Sequence, residues 1–254
     1  MTGVLRLLFG LGLWLAGTAV ASAADLKLLT TGAFRPVAED AVASFEKQTG
    51  NKVTITNDTA GALMRRLRAG EAFDVIVLTS DGLDALADIG TVTGDSITRL
   101  ARVGIGVAVG LSAPQPDILS VEAFRQTLLK AHRIAYMDPA SGSTSGNALV
   151  QIFQSLGILS EVNRKAVLVR SGSSADAVGR GDADIALQQA SELRMVPTVR
   201  LAGMIPAAIQ IYTTYSGAIS AETHEPEAAK ALLAALADPG LAPLLKRRGL
   251  ESPP

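Results

Sequence analysis

The feature of this sequence that most constrains its fold is a repeated order of elements. An apolar run is followed by a loop of small hydroxyl residues and then by apolar residues at helical spacing; this order recurs at Leu26–Thr30, Asp74–Leu78 and Ile134–Met137. The run Asp74–Leu78 is almost wholly apolar, which is typical of a strand buried on both faces of a parallel sheet. The alternation of strands and helices predicts an α/β fold with parallel sheets and right-handed crossovers.

One of these loops, residues 138–146, is a candidate anion site. It reads Asp-Pro-Ala-Ser-Gly-Ser-Thr-Ser-Gly and precedes a helical pattern that ends at Gly157. Glycines let the backbone approach a ligand, while hydroxyls and the N–H groups of a helix start donate hydrogen bonds to an anion. The alternative is a flexible loop in which Thr144 or Ser145 caps the helix. The loop lacks the Gly-Lys-Ser/Thr of a P-loop and the chain has no GxGxxG pattern, which disfavours nucleotide binding.

Three earlier strand ends carry residues of the same kind. Thr30-Thr31 follows the first predicted strand, Asp58-Thr59 the second and Thr79-Ser80 the third, and a helical pattern begins after each pair. Ligands of open parallel sheets bind beyond the carboxyl ends of the strands, so we expect these loops to meet at one cleft. Helix capping by the same hydroxyls is compatible with binding.

The start of the chain predicts export. Arg6 is followed by the apolar run Leu7–Ala21, and Ala21-Ser22-Ala23 forms an A-x-A cleavage site, so residues 1–23 are predicted to be a signal peptide. The chain has no cysteine, which leaves neither a disulfide nor a lipidation site, and we expect a free protein in the periplasm of a Gram-negative cell.

The rest of the chain is long enough for two lobes. We expect lobe I to comprise residues 24–102 plus 208–254, and lobe II to comprise residues 103–207. Two hinge segments would then join the lobes, with the ligand in the cleft between them. A free carrier of this kind is expected to be a monomer.

The composition disfavours several other function classes. The chain has 23 basic and 24 acidic residues without a basic stripe, which argues against nucleic acid as a partner. His132 and His224 lie far apart without ligand-spaced partners, so neither a metal nor another cofactor is expected. No G-x-S-x-G elbow supports a hydrolase triad.

The aromatic and cationic side chains leave the type of anion open. The tyrosines, interpreted as packing residues rather than ligand contacts, are Tyr136, Tyr212 and Tyr215. The cations nearest the first-lobe loops are Arg35, Arg65, Arg66 and Arg68. An arginine that reached the cleft would favour a carboxylate ligand, because guanidinium pairs with carboxylate in a bidentate way. A cleft lined by hydroxyls without arginine would favour an oxyanion.

Several segments together resemble a known family. The segments are the export signal, Leu28–Gly32, Asp74–Ser80, Asp138–Gly142 and Gly181–Leu187. They are similar to the periplasmic molybdate-binding protein family across essentially the whole mature chain. The resemblance implies a type II periplasmic binding protein fold, and capture of molybdate or tungstate for the membrane component of an ABC importer.

In that family the anion is held by hydroxyls and backbone N–H groups. The candidate ligand-binding residues of this chain are Thr30, Thr31, Gly32, Thr59, Thr79, Ser80, Ala140, Ser141, Gly142, Ser143 and Gln188. The chain departs from the family at Gln188-Gln189, where molybdate binders usually carry a tyrosine.

A second resemblance points to enzymes on the same fold. Pro116–Ile118, Ala123–Leu128, Ala140–Gly142, Gln188–Leu193 and Tyr215–Ala218 resemble the aconitate isomerase branch of the superfamily, whose members move a double bond in a tricarboxylate. That chemistry needs a base to take a proton α to a carboxylate, and cationic or N–H groups to hold the carboxylates. The sequence singles out no such base. We therefore predict a binding protein for a small anion of the molybdate type, and the alternative is an aconitate isomerase-like enzyme or a binder of small carboxylates.

Overall fold

The computed structural model describes residues 23–253, so the predicted signal peptide lies outside the described residues except for its last position. The strands are β1 (Asp25–Thr31), β2 (Lys52–Asp58), β3 (Val75–Thr79), β4 (Thr98–Val103), β5 (Ile105–Gly110), β6 (Ile134–Met137), β7 (Ala166–Val169), β8 (Ile185–Gln189), β9 (Val199–Met204) and β10 (Thr213–Ile219). The α-helices are α1 (Arg35–Thr49), α2 (Ala60–Arg68), α3 (Ser80–Asp88), α4 (Val121–Lys130), α5 (Thr144–Ser155), α6 (Leu159–Arg164), α7 (Ala175–Gly179), α8 (Ala190–Leu193), α9 (Pro226–Leu236) and α10 (Ala242–Arg248).

The strands form two five-stranded sheets, one in each lobe. The first has the order β2-β1-β3-β10-β4 and the second the order β7-β6-β8-β5-β9. In the first sheet β1 runs parallel to β2 and β3, whereas β10 runs antiparallel to β3 and β4. The second sheet repeats this arrangement, because β6 is parallel to β7 and β8 while β5 is antiparallel to β8 and β9. This confirms the predicted α/β fold with two mixed-sheet lobes.

The strand β3 illustrates how the apolar pattern builds a sheet buried on both faces. Val75 and Val77 pack into the core that α1 and α9 form on one face. Ile76 and Leu78 pack into the core that α2 and α3 form on the other face. All four side chains are fully buried, as the uninterrupted apolar run predicts.

The chain passes twice between the sheets. The first passage is Gly104, between β4 and β5, and the second is residues 205–212, between β9 and β10. Gln210 ties the two passages together: its Oε1 accepts from Ile105 N at 2.7 Å and its Nε2 donates to Ile105 O at 2.9 Å. The lobe boundaries at residues 102/103 and 207/208 stay a proposal, with these passages as the hinges.

Among residues 23–253, length and hydropathy decide whether a helix can span a membrane. No single helix is long and apolar enough to span a bilayer, and the consecutive segments Pro226–Leu236 and Pro239–Arg248 meet that criterion only as a pair bent by 41°.

Candidate functional site

A cavity of about 310 Å³ lies between the two lobes, within the size range of small-ligand sites. Its walls are formed at the carboxyl ends of β1, β2, β6, β7 and β8 and by one residue of β10. The polar side chains on its walls belong to Thr31, Arg35, Asn57, Asp58, Thr59, Ser143, Thr144, Ser171, Ser173, Asp176, Gln189, Glu192 and Tyr215. The strand ends of both lobes therefore meet at one cleft, as expected for open α/β sheets.

Four of the residues predicted from the sequence line this cavity, namely Thr31, Gly32, Thr59 and Ser143. The Thr31 hydroxyl is buried and has no hydrogen-bond partner among the described residues. A buried hydroxyl without a partner is costly, so this oxygen is available to a ligand. Ser143 Oγ accepts from Gly146 N at 3.2 Å and is thus the cap of α5, in place of the Thr144 or Ser145 considered from the sequence.

Two predicted residues are buried away from the cavity. Thr30 precedes Thr31 on the same strand, and its hydroxyl donates to the Thr31 carbonyl at 3.3 Å. Gln188 precedes Gln189 on β8; its Oε1 accepts from Ser174 N at 2.7 Å, so it supports the loop that follows β7. Successive side chains of a strand point to opposite faces, which explains why each neighbour reaches the cavity instead.

Thr79 and Ser80 line a second cavity, of about 550 Å³, on whose wall Arg99 also lies. Thr144 is the one residue that lines both cavities. Tyr215, whose hydroxyl lies 3.3 Å from Thr144 Oγ1, is the register partner of Thr79 in the sheet. The expectation that all three early strand ends share one cavity therefore holds for the first two, and the third faces a separate space.

The loop 138–146 contacts the opposite lobe through its carbonyl oxygens. Gly61 N donates to Gly142 O at 3.0 Å, and Thr59 Oγ1 donates to Ser141 O at 2.8 Å. Ala140, Ser141 and Gly142 do not line the cavity. The loop was predicted to donate to an anion, but at these residues it accepts hydrogen bonds from the start of α2.

This contact between the lobes requires glycine on both sides. Gly142 has a φ of 79°, in the left-handed region. A Cβ atom placed on Gly61 would lie 2.6 Å from Gly142 Cα, far inside van der Waals contact. The two backbones therefore touch directly, and the cleft is closed at this point.

Glu192, on the one-turn helix α8, is the main functional candidate that the sequence reasoning missed. It lines the cavity, and burial raises the pKa of its carboxyl group from 4.5 to about 7. The carboxyl also faces the opposite lobe, since a Cβ atom on Gly32 would lie 2.5 Å from Glu192 Oε1. The only sequence signal was its place in the segment Gln188–Leu193, which carried a resemblance but no assigned role.

Gln189 connects Glu192 with the first lobe. The hydrogen-bond pattern assigns its amide with Nε2 at 2.8 Å from Glu192 Oε2 and 3.0 Å from Ser145 Oγ. Its Oε1 then accepts from Thr144 Oγ1 at 2.6 Å. The Tyr215 hydroxyl lies 3.4 Å from the same end of the amide. Tyr215, interpreted from the sequence as a packing residue, thus also lines the cavity.

Arg35 supplies a cation to the cavity wall. Its Nε donates to Glu39 Oε1 at 2.7 Å, and its Nη groups donate no hydrogen bond within residues 23–253. The wall also carries the carboxyl groups of Asp58, Asp176 and Glu192. No group of three or more His, Cys, Asp or Glu side chains among the described residues is placed to hold a metal ion.

Several known proteins are similar to this chain. It is 36% identical over 234 residues to an aconitate isomerase of Pseudomonas sp., which covers 90% of this chain and 88% of that protein. Among solved structures it is similar to the periplasmic molybdate-binding protein of Azotobacter vinelandii, with a TM-score of 0.76 and 20% identity over 90% of this chain and 100% of the other. It is also similar to the sulfate-binding protein of Mycobacterium tuberculosis, with a TM-score of 0.70 and 17% identity over 90% of this chain and 87% of the other.

The structural similarities, all below 25% identity, establish the fold. The family described as bacterial extracellular solute-binding protein matches residues 26–251, nearly the whole of the described chain. The protein therefore belongs to the bacterial extracellular solute-binding protein family.

Proposed function

We propose that this protein binds a small unsaturated polycarboxylate between its lobes and isomerises it in the manner of an aconitate isomerase. The observation that carries the proposal is Glu192, a carboxyl group that lines the cavity between the lobes and whose pKa burial raises to about 7. A general base is most effective when its pKa lies near the working pH. The sequence identity of 36% to an aconitate isomerase adds independent support.

The proposed reaction is a proton transfer within a three-carbon unit. Ionised Glu192 removes a proton from the methylene carbon next to a carboxylate, and the electron pair of that C–H bond delocalises into the neighbouring double bond and carboxylates. The same carboxyl group then returns the proton to the far carbon. One C–H bond breaks, one forms, the double bond moves, and no proton or electron is gained or lost overall.

The rest of the cavity wall supplies groups suited to a carboxylate substrate. Arg35 brings a guanidinium group to this wall, and guanidinium pairs with carboxylate in a bidentate way. The unpartnered Thr31 hydroxyl is a further donor. Donors that are already oriented stabilise the negative charge that develops as the proton leaves.

A second candidate function is binding of a molybdate-type oxyanion for delivery to an ABC importer. It is favoured by the hydroxyl groups on the cavity wall, which include Thr31, Ser171 and Ser173. The carboxylates of Glu192 and Asp176 on the same wall do not decide between the two functions, because they repel an oxyanion and a polycarboxylate alike. Arg35 in the cleft favours a carboxylate.

Family membership implies a periplasmic location. We further propose export through a signal peptide at residues 1–23 and a monomeric state, whereas an ABC importer as partner goes with the second candidate function.

The test compares binding and turnover in the same purified mature protein. Thermal shifts are measured with trans-aconitate, citrate, the saturated analogue tricarballylate, molybdate, tungstate and sulfate. A ligand at about 100 times its Kd adds about 2.7 kcal/mol to the free energy of unfolding, which is a clear shift in Tm. Conversion of trans-aconitate is followed by proton NMR of the vinyl protons. We expect shifts with the tricarboxylates together with turnover; a shift with molybdate and tungstate alone, without turnover, would replace the isomerase by the oxyanion binder.

A further inference from the structure

Tyr215 reaches Glu192 from the opposite lobe through two intervening side chains. Tyr215 lies on β10 of the first sheet, whereas Thr144, Gln189 and Glu192 belong to the second lobe. The Tyr215 hydroxyl lies 3.3 Å from Thr144 Oγ1, and Tyr215 is only 1% exposed. Thr144 Oγ1 lies 2.6 Å from the Gln189 amide, whose other end lies 2.8 Å from Glu192 Oε2.

Tyr215, Thr144 and Gln189 can align their donors toward an ionised Glu192. In that arrangement Tyr215 donates to Thr144, Thr144 donates to Gln189 Oε1, and Gln189 Nε2 donates to the carboxylate. Each of the polar atoms that link Tyr215 to Glu192 then has a partner, and each hydrogen bond strengthens the next.

A protonated Glu192 would need the Gln189 amide turned over. The carboxylic acid would then donate to Gln189 Oε1, Gln189 Nε2 to Thr144, and Thr144 to Tyr215. That orientation places the amide NH₂ group 3.3 Å from Ser145 N, donor against donor. The surroundings of Gln189 therefore favour the orientation that donates to an ionised Glu192.

We infer that Tyr215 is a positioning residue, which completes this hydrogen-bond chain when the lobes close and thereby prepares Glu192 for proton transfer. The inference rests on the proposed isomerase function for its catalytic consequence. Of the four groups, Tyr215 alone belongs to the first lobe, so opening of the cleft breaks the chain between Tyr215 and Thr144. Glu192 then keeps Gln189 but loses the partners that orient the amide. In the open state Glu192 is also exposed to water, so proton transfer is confined to the closed, loaded cavity.

The experiment compares Tyr215→Phe with the wild type and with Tyr212→Phe. Tyr212 is 44% exposed and lies outside the first cavity, so its variant is the matched control. For Tyr215→Phe we expect kcat for trans-aconitate to fall by about tenfold or more with KM within about twofold, the pattern of a lost transition-state interaction. Wild-type kinetics in Tyr215→Phe would overturn the inference.

The pH profile of kcat separates positioning from general damage. The charged or titratable side chains that share the cavity wall with Glu192 are those of Arg35, Asp58, Asp176 and Tyr215. Of these groups, the variant changes only Tyr215. Loss of the hydrogen-bond chain destabilises the ionised carboxylate, so the acid limb of the profile should move to higher pH in Tyr215→Phe. An unmoved acid limb would overturn the inference.

Two further measurements keep the test decisive. Thr144→Val breaks the same chain from the second lobe without changing Tyr215, and it should reproduce the kinetic effects if Tyr215→Phe fails to fold. If the wild type does not convert trans-aconitate, the proposed function fails by itself. The hydrogen-bond chain is then tested by a carbon-13 NMR titration of the Glu192 carboxyl carbon. A higher pKa of Glu192 in Tyr215→Phe than in the wild type supports the hydrogen-bond chain, and equal pKa values overturn it.

Discussion

Replacement of Gly61 by alanine should separate closure of the cleft from stability of the fold. Gly61 lies in the first turn of α2, and its backbone N–H donates to Gly142 O of the other lobe at 3.0 Å. An alanine Cβ would lie 2.6 Å from Gly142 Cα and 3.2 Å from Gly142 O. Carbon atoms need about 3.5–4.0 Å, so the lobes must move apart by about 1 Å at this contact.

The size of the effect follows from the contacts that this movement breaks. Two hydrogen bonds between the lobes, Gly61 N to Gly142 O and Thr59 Oγ1 to Ser141 O, are lost or stretched. At about 0.5–1.5 kcal/mol each, their loss raises the Kd of a ligand held by closure by about 5–150-fold. Alanine at a helical position without a positive φ is favourable by up to about 1 kcal/mol, so Tm without ligand should stay equal or rise.

Calorimetry with tricarballylate gives the affinity, and small-angle X-ray scattering with saturating ligand gives the degree of closure. Gly94→Ala is the matched control, because a Cβ atom there meets only Ala87 Cβ at 3.8 Å, an ordinary contact. We expect weaker binding and a larger radius of gyration in Gly61→Ala alone. Wild-type affinity and scattering in that variant would refute the claim that these glycines set closure.

Two further predictions concern a ligand contact and a surface ion pair. Thr31→Val removes the buried hydroxyl that has no partner, so affinity for tricarballylate should fall while Tm without ligand stays the same or rises. The control Thr30→Val should leave affinity unchanged. Equal binding by the wild type and both variants would remove Thr31 from the site. Hydrogen bonds from Arg66 and Lys27 lower the pKa of Glu71 from 4.5 to about 2, so its contribution to stability is present above about pH 4.5 and lost as pH falls toward 2. Glu71→Gln should therefore lower Tm at pH 7 and lose that effect near pH 2, and a Tm difference that did not change with pH would contradict the assignment.

The fold was predictable because its signals are local. The uninterrupted run from Val75 to Leu78 predicts a strand buried on both faces, and each side chain is fully buried. The hydroxyl residues at the ends of β1 and β2 predict a cleft there, since chain direction in parallel strands brings those ends together.

The details of the site depend on features that sequence patterns do not carry. Gln188 and Gln189 are chemically identical, and only the phase of β8 decides that Gln189 faces the cavity. Glu192 lies on a helix of a single turn, too short for an apolar periodicity to show which way it faces. The pKa of its carboxyl group is raised by burial, which depends on the folded surroundings and not on any local pattern.

The loop 138–146 shows how one pattern can serve two roles. Small residues and glycine suit close approach of a backbone to a ligand, and they suit close approach to another backbone equally well. The partner, Gly61, lies far away in the sequence and gives no sign of the contact. Whether the loop faces a ligand or another backbone in the folded protein decides between the two roles.

Glu192 is proposed to be the base of an isomerase. The most direct measurement is the rate of conversion of trans-aconitate by the wild type, by Glu192→Gln and by the control Glu222→Gln, an exposed glutamate outside the first cavity, with binding of tricarballylate measured in parallel. We expect turnover in the wild type and the control, and a loss of at least about 100-fold in Glu192→Gln with binding retained. Turnover in Glu192→Gln equal to that of the wild type, or none in any of the three proteins, would contradict this proposal.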